Sequence, residues 1–299
     1  MFKLKNLIAK QYFSILILIL FLTDLIILLN IPFLRQMLGF LCFTIIPGLL
    51  ILHILKLKEI EFLKKFVLSV GLSIAFLMFA GLLVNSFYPI ISKPLSLPPL
   101  LISFNILLVI LAFIAYKRNK KDFNIKDVFN FKLDLKDKLT SPLLFPILFP
   151  FMAVFGTYLM NTQGDNIILL TMLFLIPAYV VAVIYLRNKI SEATYPFAIW
   201  MIGIALSLLY GLRGYNIPVG DISIEYYTFK LTLNDAHWDI SKFYHNYNAC
   251  LSVTILPTIY KAFLNMDKYI YKLIYPLIGS IAPLGAYILF REYMKREYA

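Results

Sequence analysis

Phe66-Val67-Leu68-Ser69-Val70-Gly71-Leu72-Ser73-Ile74-Ala75-Phe76-Leu77-Met78-Phe79-Ala80-Gly81-Leu82-Leu83-Val84-Asn85-Ser86-Phe87 decides the fold class of this chain. The run is apolar from end to end and carries no charged side chain. At about 1.5 Å of rise per residue it makes a helix long enough to cross a hydrocarbon layer of about 30 Å. Runs of the same kind lie on both sides of it: Tyr12–Leu29, Leu34–Leu55, Pro98–Tyr116, Pro142–Met160, Ile167–Leu186, Phe197–Leu212 and Ile270–Phe290. Together they predict an all-α polytopic transmembrane helix bundle with about eight spans.

Composition agrees. The chain of 299 residues is 61% hydrophobic and 15% charged, with a mean hydropathy of +0.82. A water-soluble domain is near 45–50% apolar and about 25% charged, so an excess this large needs lipid to cover it. The formal charge of +12 does not point to nucleic acid, because most basic residues sit in connections between apolar runs. Such placement fixes orientation in a membrane. Cys42 and Cys250, the two cysteines, both lie in apolar runs and read as small packing residues rather than as a disulfide or a metal pair.

Lys3, Lys5 and Lys10 followed by an apolar run resemble a signal sequence, but Leu28-Leu29-Asn30-Ile31-Pro32 offers no small-residue cleavage site. The run therefore reads as an uncleaved first span. Pro47-Gly48 predicts a kink in the second span, with neighbouring helices satisfying the freed carbonyl. Ser69, Gly71, Ser73, Ala75, Ala80 and Gly81 in the third span predict close helix packing.

Orientation follows from lysine and arginine. Lys3, Lys5 and Lys10, then Lys56, Lys58, Lys64 and Lys65, then the connection 117–140, then Arg187 and Lys189 fall on one side; the other has Arg35 and Lys93. The bias places the N-terminus and the 117–140 connection in the cytoplasm of a multi-pass cell-membrane protein. The 117–140 connection mixes lysines with Asp122, Asp127, Asp134 and Asp137, as a solvated connector does. It divides the chain into a four-span block over 1–116 and a second block over 141–299. The second block contains an external loop, 213–269.

Within that loop, Ala249–Leu264 is short for a span and contains Pro257. Charge counting leaves it tied between spanning and not, and its shortness and proline favour an interfacial or re-entrant segment. Read as a helix from Asp221 onward, the preceding stretch puts Asp221, Glu225, Thr228 and Thr232 on one polar stripe. Ile222, Tyr226, Phe229 and Leu233 then form an adjacent apolar one. Two carboxylates one turn apart can share a divalent cation, or one can act as a general base that the other tunes. The competing reading is structural: Asp221 after Pro218-Val219-Gly220 as an N-cap, and Glu225 as a charge that suits the helix dipole. His237, Asp239 and His245 could contribute a metal ligand, but they lack a recognised metal-ligand spacing, and Trp238 and Tyr244 beside them favour anchoring at the membrane interface. His53 lies at a cytoplasmic span end.

The run Gly220-Asp221-Ile222-Ser223-Ile224-Glu225-Tyr226-Tyr227-Thr228-Phe229-Lys230-Leu231-Thr232-Leu233, followed by Tyr247-Asn248-Ala249-Cys250-Leu251-Ser252-Val253-Thr254-Ile255-Leu256-Pro257, resembles the first external loop of GT-C glycosyltransferases. These multi-pass enzymes take sugar from a polyprenyl-phosphate carrier. The likeness is to an archaeal branch of that clan, domain of unknown function 2206. The first half is similar to a prokaryotic membrane family, domain of unknown function 1616, through Arg35, Leu38-Gly39, Pro47-Gly48, Leu68-Ser69-Val70-Gly71-Leu72-Ser73 and Gly81-Leu82-Leu83-Val84-Asn85.

The GT-C resemblance implies that Asp221 is the first-loop catalytic carboxylate, a general base on the acceptor hydroxyl or a metal ligand, with Glu225 as its partner. It implies that Arg213 or Lys230 neutralises the departing carrier phosphate. Apart from the resemblance, Asp221, Glu225 and His237 are the residues that could hold a divalent cation. GT-C enzymes carry more spans and usually a large external C-terminal portion, so the expectation is the start of such a module: a fragment, a split gene product or a degenerate copy. Two other classes remain. A transporter or flippase should place ionisable residues at mid-bilayer depth, where only Asp24 stands out in the first six spans. A structural membrane subunit would pack its spans with apolar side chains and do no chemistry.

Overall fold

A computed structural model describes residues 2–57, 60–121, 123 and 144–294. The basic 117–140 connection thus lies almost wholly outside the described residues, as do Lys58, Lys295 and Arg296. Among the described residues there is no strand, and eight helices are long and apolar enough to cross a membrane. Residues Met1–Phe131 and Val219–Ile270 form one compact unit; Lys132–Pro218 and Tyr271–Ala299 form the other. This partition cuts the sequence differently from the linear blocks 1–116 and 141–299, because most of the 213–269 loop belongs with the first four spans.

The first unit contains α1 (Phe2–Leu28), α2 (Leu34–Leu55), α3 (Phe62–Asn85), α4 (Leu97–Asn119), α8 (Asp221–Asp235) and a short helix α9 (Ile255–Leu264). α2 packs on α1, α3 and α4. At Gly48 its backbone meets that of α3, and a Cβ there would stand 1.9 Å from the Ser69 carbonyl oxygen. Pro47 does not end α2. The Gly48 N–H beside it donates to Ser73 Oγ at 2.8 Å, so α3 accepts a backbone donor of α2 next to the proline. Of the small residues in the third span, Ser69, Ser73, Ala80 and Gly81 are buried, whereas Gly71 is exposed.

Helix α9 lodges against α2, α3 and α4, and nearly every side chain on it is buried. Phe263 stacks on Phe43 with ring centroids 4.1 Å apart, and the Tyr260 hydroxyl lies 2.8 Å from Thr44 Oγ1. Its ten residues extend about 15 Å, half the thickness of a hydrocarbon layer.

The second unit contains α5 (Leu148–Gln163), α6 (Ile167–Tyr185) and α7 (Thr194–Leu212), with Phe149, Ala153, Met172 and Ala205 at its centre. The last span is not one continuous α-helix. A π-helical turn (Ile270–Ile274) leads into α10 (Tyr275–Gly279) and then α11 (Ala282–Tyr293). Pro276 and Pro283 each stand near the start of one of these pieces, where a missing N–H costs nothing. Gly211 of α7 faces the Lys272 carbonyl, against which a Cβ would stand at 2.4 Å.

Candidate functional site

Helix α8 begins where the sequence suggests, but its cap differs from the structural reading. The N-cap is Gly220, at φ 118° and ψ −154°, a conformation that favours glycine. Asp221 is therefore the first helical residue, not the cap. Its carboxylate stands in the first turn, where the helix dipole favours a negative charge, and its side chain is exposed.

Glu225 follows one turn later and is half-buried. Its carboxyl pKa is raised above the usual value, first by burial and then by the Asp221 charge. Partial burial first, and then the charges of Asp221 and Glu225, hold the Tyr247 phenol above its usual range. Asp221, Glu225 and Tyr247 thus form one acidic, phenol-bearing group on the first unit.

The rest of α8 turns out differently from the two-stripe reading. Thr228 and Thr232 are buried together with Phe229, so the lower part of the expected polar stripe faces inward. Thr228 Oγ1 donates to the Ile224 carbonyl at 2.8 Å, which satisfies its hydroxyl inside the packing. On the adjacent face, the Tyr226 hydroxyl donates to Asp267 Oδ1 at 2.9 Å and Lys230 Nζ to Asp267 Oδ2 at 2.9 Å. Burial first, then Asp267, pushes the Tyr226 phenol up to about 12. Lys230, expected to meet a carrier phosphate, is therefore ion-paired within its own unit. Arg213 follows α7 in the second unit and has an exposed side chain. The carbonyls of Arg213, Gly214 and Asn216 accept from the buried Lys272 Nζ at 3.2, 2.8 and 3.3 Å.

His237 is not brought to the carboxylates as a ligand. Its ring stacks on Tyr88 with centroids 3.8 Å apart. Among the described residues, no group of three or more His, Cys, Asp or Glu side chains is placed to hold a metal ion. Asp239 accepts from Ser241, and His245 Nδ1 accepts from the Tyr247 N–H. Trp238 is half-buried, with its backbone bracketed by Asn85: its N–H donates to Asn85 Oδ1 at 2.8 Å, and its carbonyl accepts from Asn85 Nδ2 at 2.9 Å. Asn248 Nδ2 reaches the carbonyls of Asp239, Ile240 and Phe243, which ties the loop together. Tyr244, by contrast, is almost fully exposed.

Tyr247 and Asp267 are the site residues that sequence reasoning missed. Tyr247 lay within the resembling stretch but carried no signal of its own, and no periodicity links Asp267 to Lys230. No family model matches the chain, and no match emerged among curated proteins or solved structures.

Proposed function

We propose that the chain is a GT-C-type membrane glycosyltransferase, or the start of one, that uses a polyprenyl-phosphate-linked sugar. The observation that carries this reading is the carboxylate pair on α8. Asp221 is exposed at the first turn, and Glu225, one turn on, binds a proton more readily than an ordinary glutamate. Asp221 is the general base. It takes the proton of an acceptor hydroxyl while that oxygen bonds to the anomeric carbon, and the carrier phosphate leaves with the electrons of the broken bond. The Asp221 charge in turn disfavours ionisation of Glu225, and Tyr247 stands beside the pair. The resemblance of the Gly220–Leu233 stretch to the first external loop of these enzymes supports the same assignment. The ion pair to Asp267 makes Lys230 a support for α8 rather than a phosphate ligand.

The test is transfer of radiolabelled sugar from polyprenyl-phosphate donors by the protein reconstituted in liposomes. Asp221→Asn keeps the side chain's size and removes the base, so transfer should fall on the order of 10²-fold or more while insertion is unchanged. Undiminished transfer by that variant would remove Asp221 from the mechanism. A wild-type chain inactive with every donor offered would favour the structural-subunit reading.

A further inference from the structure

The C-terminal end of an α-helix leaves four carbonyls without a partner in the helix. In α9 these are the carbonyls of Lys261, Ala262, Phe263 and Leu264, and every one has a partner. The Asn265 N–H, in the left-handed conformation at φ 54°, donates to the Lys261 carbonyl at 3.0 Å. Gln36 Nε2 donates to the Leu264 carbonyl at 2.9 Å. The other two accept from a single side chain: Arg35 sends Nε to the Phe263 carbonyl at 2.7 Å and a terminal nitrogen to the Ala262 carbonyl at 2.6 Å. Its second terminal nitrogen donates to Asn30 Oδ1, also at 2.6 Å.

Arg35 is 6% exposed, so its charge has left water almost entirely. Its partners are oxygens with partial negative charge: two carbonyls at the negative end of the helix dipole and one amide. A buried cation is costly unless such groups replace its hydration. Three acceptors engage three different nitrogens of one guanidinium. A sodium ion has no such directional demand, and an ammonium has no planar fork.

We infer that the C-terminal end of α9, together with Asn30, is a binding site for a planar guanidinium cation whose resident occupant is the tethered side chain of Arg35. This inference is independent of the glycosyl-transfer reading. It also counts against the transporter alternative. The end of a half-helix is where a mobile cation would bind in such a protein, and here those carbonyls are engaged by a cation the chain supplies itself.

The experiment is chemical rescue in the full-length protein. Cys42 is buried in the same unit and Cys250 is exposed. In a Cys250→Ser background, a thiol-reactive dye therefore reports thermal opening around Cys42. Arg35→Ala should lower the temperature of that opening by several degrees. Low-millimolar guanidinium chloride should restore at least half of the loss, while equal sodium or tetramethylammonium chloride should not. Rescue by all three salts alike, or an alanine variant that opens at the wild-type temperature, would overturn the assignment. If Arg35→Ala does not insert, Arg35→Lys decides, because it keeps the charge and loses the fork. The lysine variant should open at a lower temperature than wild type, and equal stability would show that any cation suffices.

Discussion

Lys230 Nζ lies 2.9 Å from Asp267 Oδ2, and the same carboxylate accepts the Tyr226 hydroxyl through its other oxygen. One aspartate thereby grips two positions of α8 a turn apart, on the helix that carries Asp221 and Glu225. The ion pair is partly exposed, so its Coulomb share is small, about 0–1 kcal/mol. The hydrogen bond from Tyr226 ends on the charged carboxylate and adds about 1.5 kcal/mol or more.

Replacing Asp267 with Asn keeps an acceptor for Tyr226 and removes the ion pair. The loss of stability, from the ion pair and from a weakened Tyr226 bond, should be about 1–2 kcal/mol and shrink in high salt. Asp267→Leu removes both contacts and should cost more, with little salt dependence in the added part. Thermal unfolding at two ionic strengths separates the two variants. Equal losses from both would mean that Tyr226 gains nothing from Asp267.

Glu225 gives a pH dependence with a definite sign. Its carboxyl pKa is raised in the folded protein, by burial and then by Asp221, so folding favours the protonated form. The penalty is absent below the ordinary glutamate range and grows as pH rises through that range to the raised folded value. Glu225→Gln removes the titration. The glutamine variant should therefore be more stable than wild type at neutral pH, with the difference vanishing in acid. Melting curves across that range check this, and a glutamine variant less stable at neutral pH would show that the ionised carboxylate is held by favourable contacts.

Two glycines in neighbouring helices should respond oppositely to alanine. A Cβ on Gly48 would stand 1.9 Å from the Ser69 carbonyl oxygen, which belongs to helix backbone and cannot swing aside. Gly48→Ala should cost about 1–3 kcal/mol or more by forcing α2 from α3. Gly71 has nothing within 4 Å of such a Cβ. There, alanine should be neutral or stabilising by up to about 1 kcal/mol through helix propensity. Unfolding of the two variants in the same detergent tests the pair.

The contrast marks what the sequence makes legible. Apolar runs without charges define spans because hydrocarbon thickness sets their length, and each of the eight expected runs has a counterpart among the described residues, although α1 begins ten residues before Tyr12. The last, Ile270–Phe290, is in pieces that begin near Pro276 and Pro283, breaks over which hydropathy averages. The small-residue stripe of α3 predicted packing, but not that Gly71 would be exposed. The α8 stripe misled at Thr228 and Thr232, because a threonine hydroxyl can bond a carbonyl of its own helix and then be buried like a valine. Arg35 and Phe263 are 228 positions apart. Such pairings are set by how the chain folds back, and no local pattern encodes them.

Orientation can be tested independently of any chemistry. The lysine bias predicts the 117–140 connection in the cytoplasm and the segment after α7 outside. Cysteines placed at Lys126 and Asn216, in a background lacking Cys42 and Cys250, should react with an impermeant thiol reagent from opposite faces of sealed vesicles. Labelling from one face would overturn the assignment and move Asp221 away from an external acceptor.

Asn85 supplies the last prediction. It ends α3 and is 7% exposed, and its amide holds both the N–H and the carbonyl of Trp238 across 153 positions of sequence. The bracket works like one rung of a β-ladder, fixing the chain just after α8 to the end of a span. The Trp238 indole N–H in turn donates to the Asn248 carbonyl at 2.8 Å, and Asn248 gathers the rest of the loop that leads to Tyr247. Asn85→Ala deletes both bonds and leaves the partners to find water, at about 1 kcal/mol for each. Asn85→Asp keeps the acceptor for the Trp238 N–H but turns a buried carboxylate oxygen toward the Trp238 carbonyl, so it should cost at least as much as the alanine. With Trp200 replaced by Phe, Trp238 is the remaining tryptophan, and its emission should move to longer wavelength in the alanine variant as the indole meets water. Unchanged emission and stability would mean that the Trp238 loop is held from the Asn248 side alone.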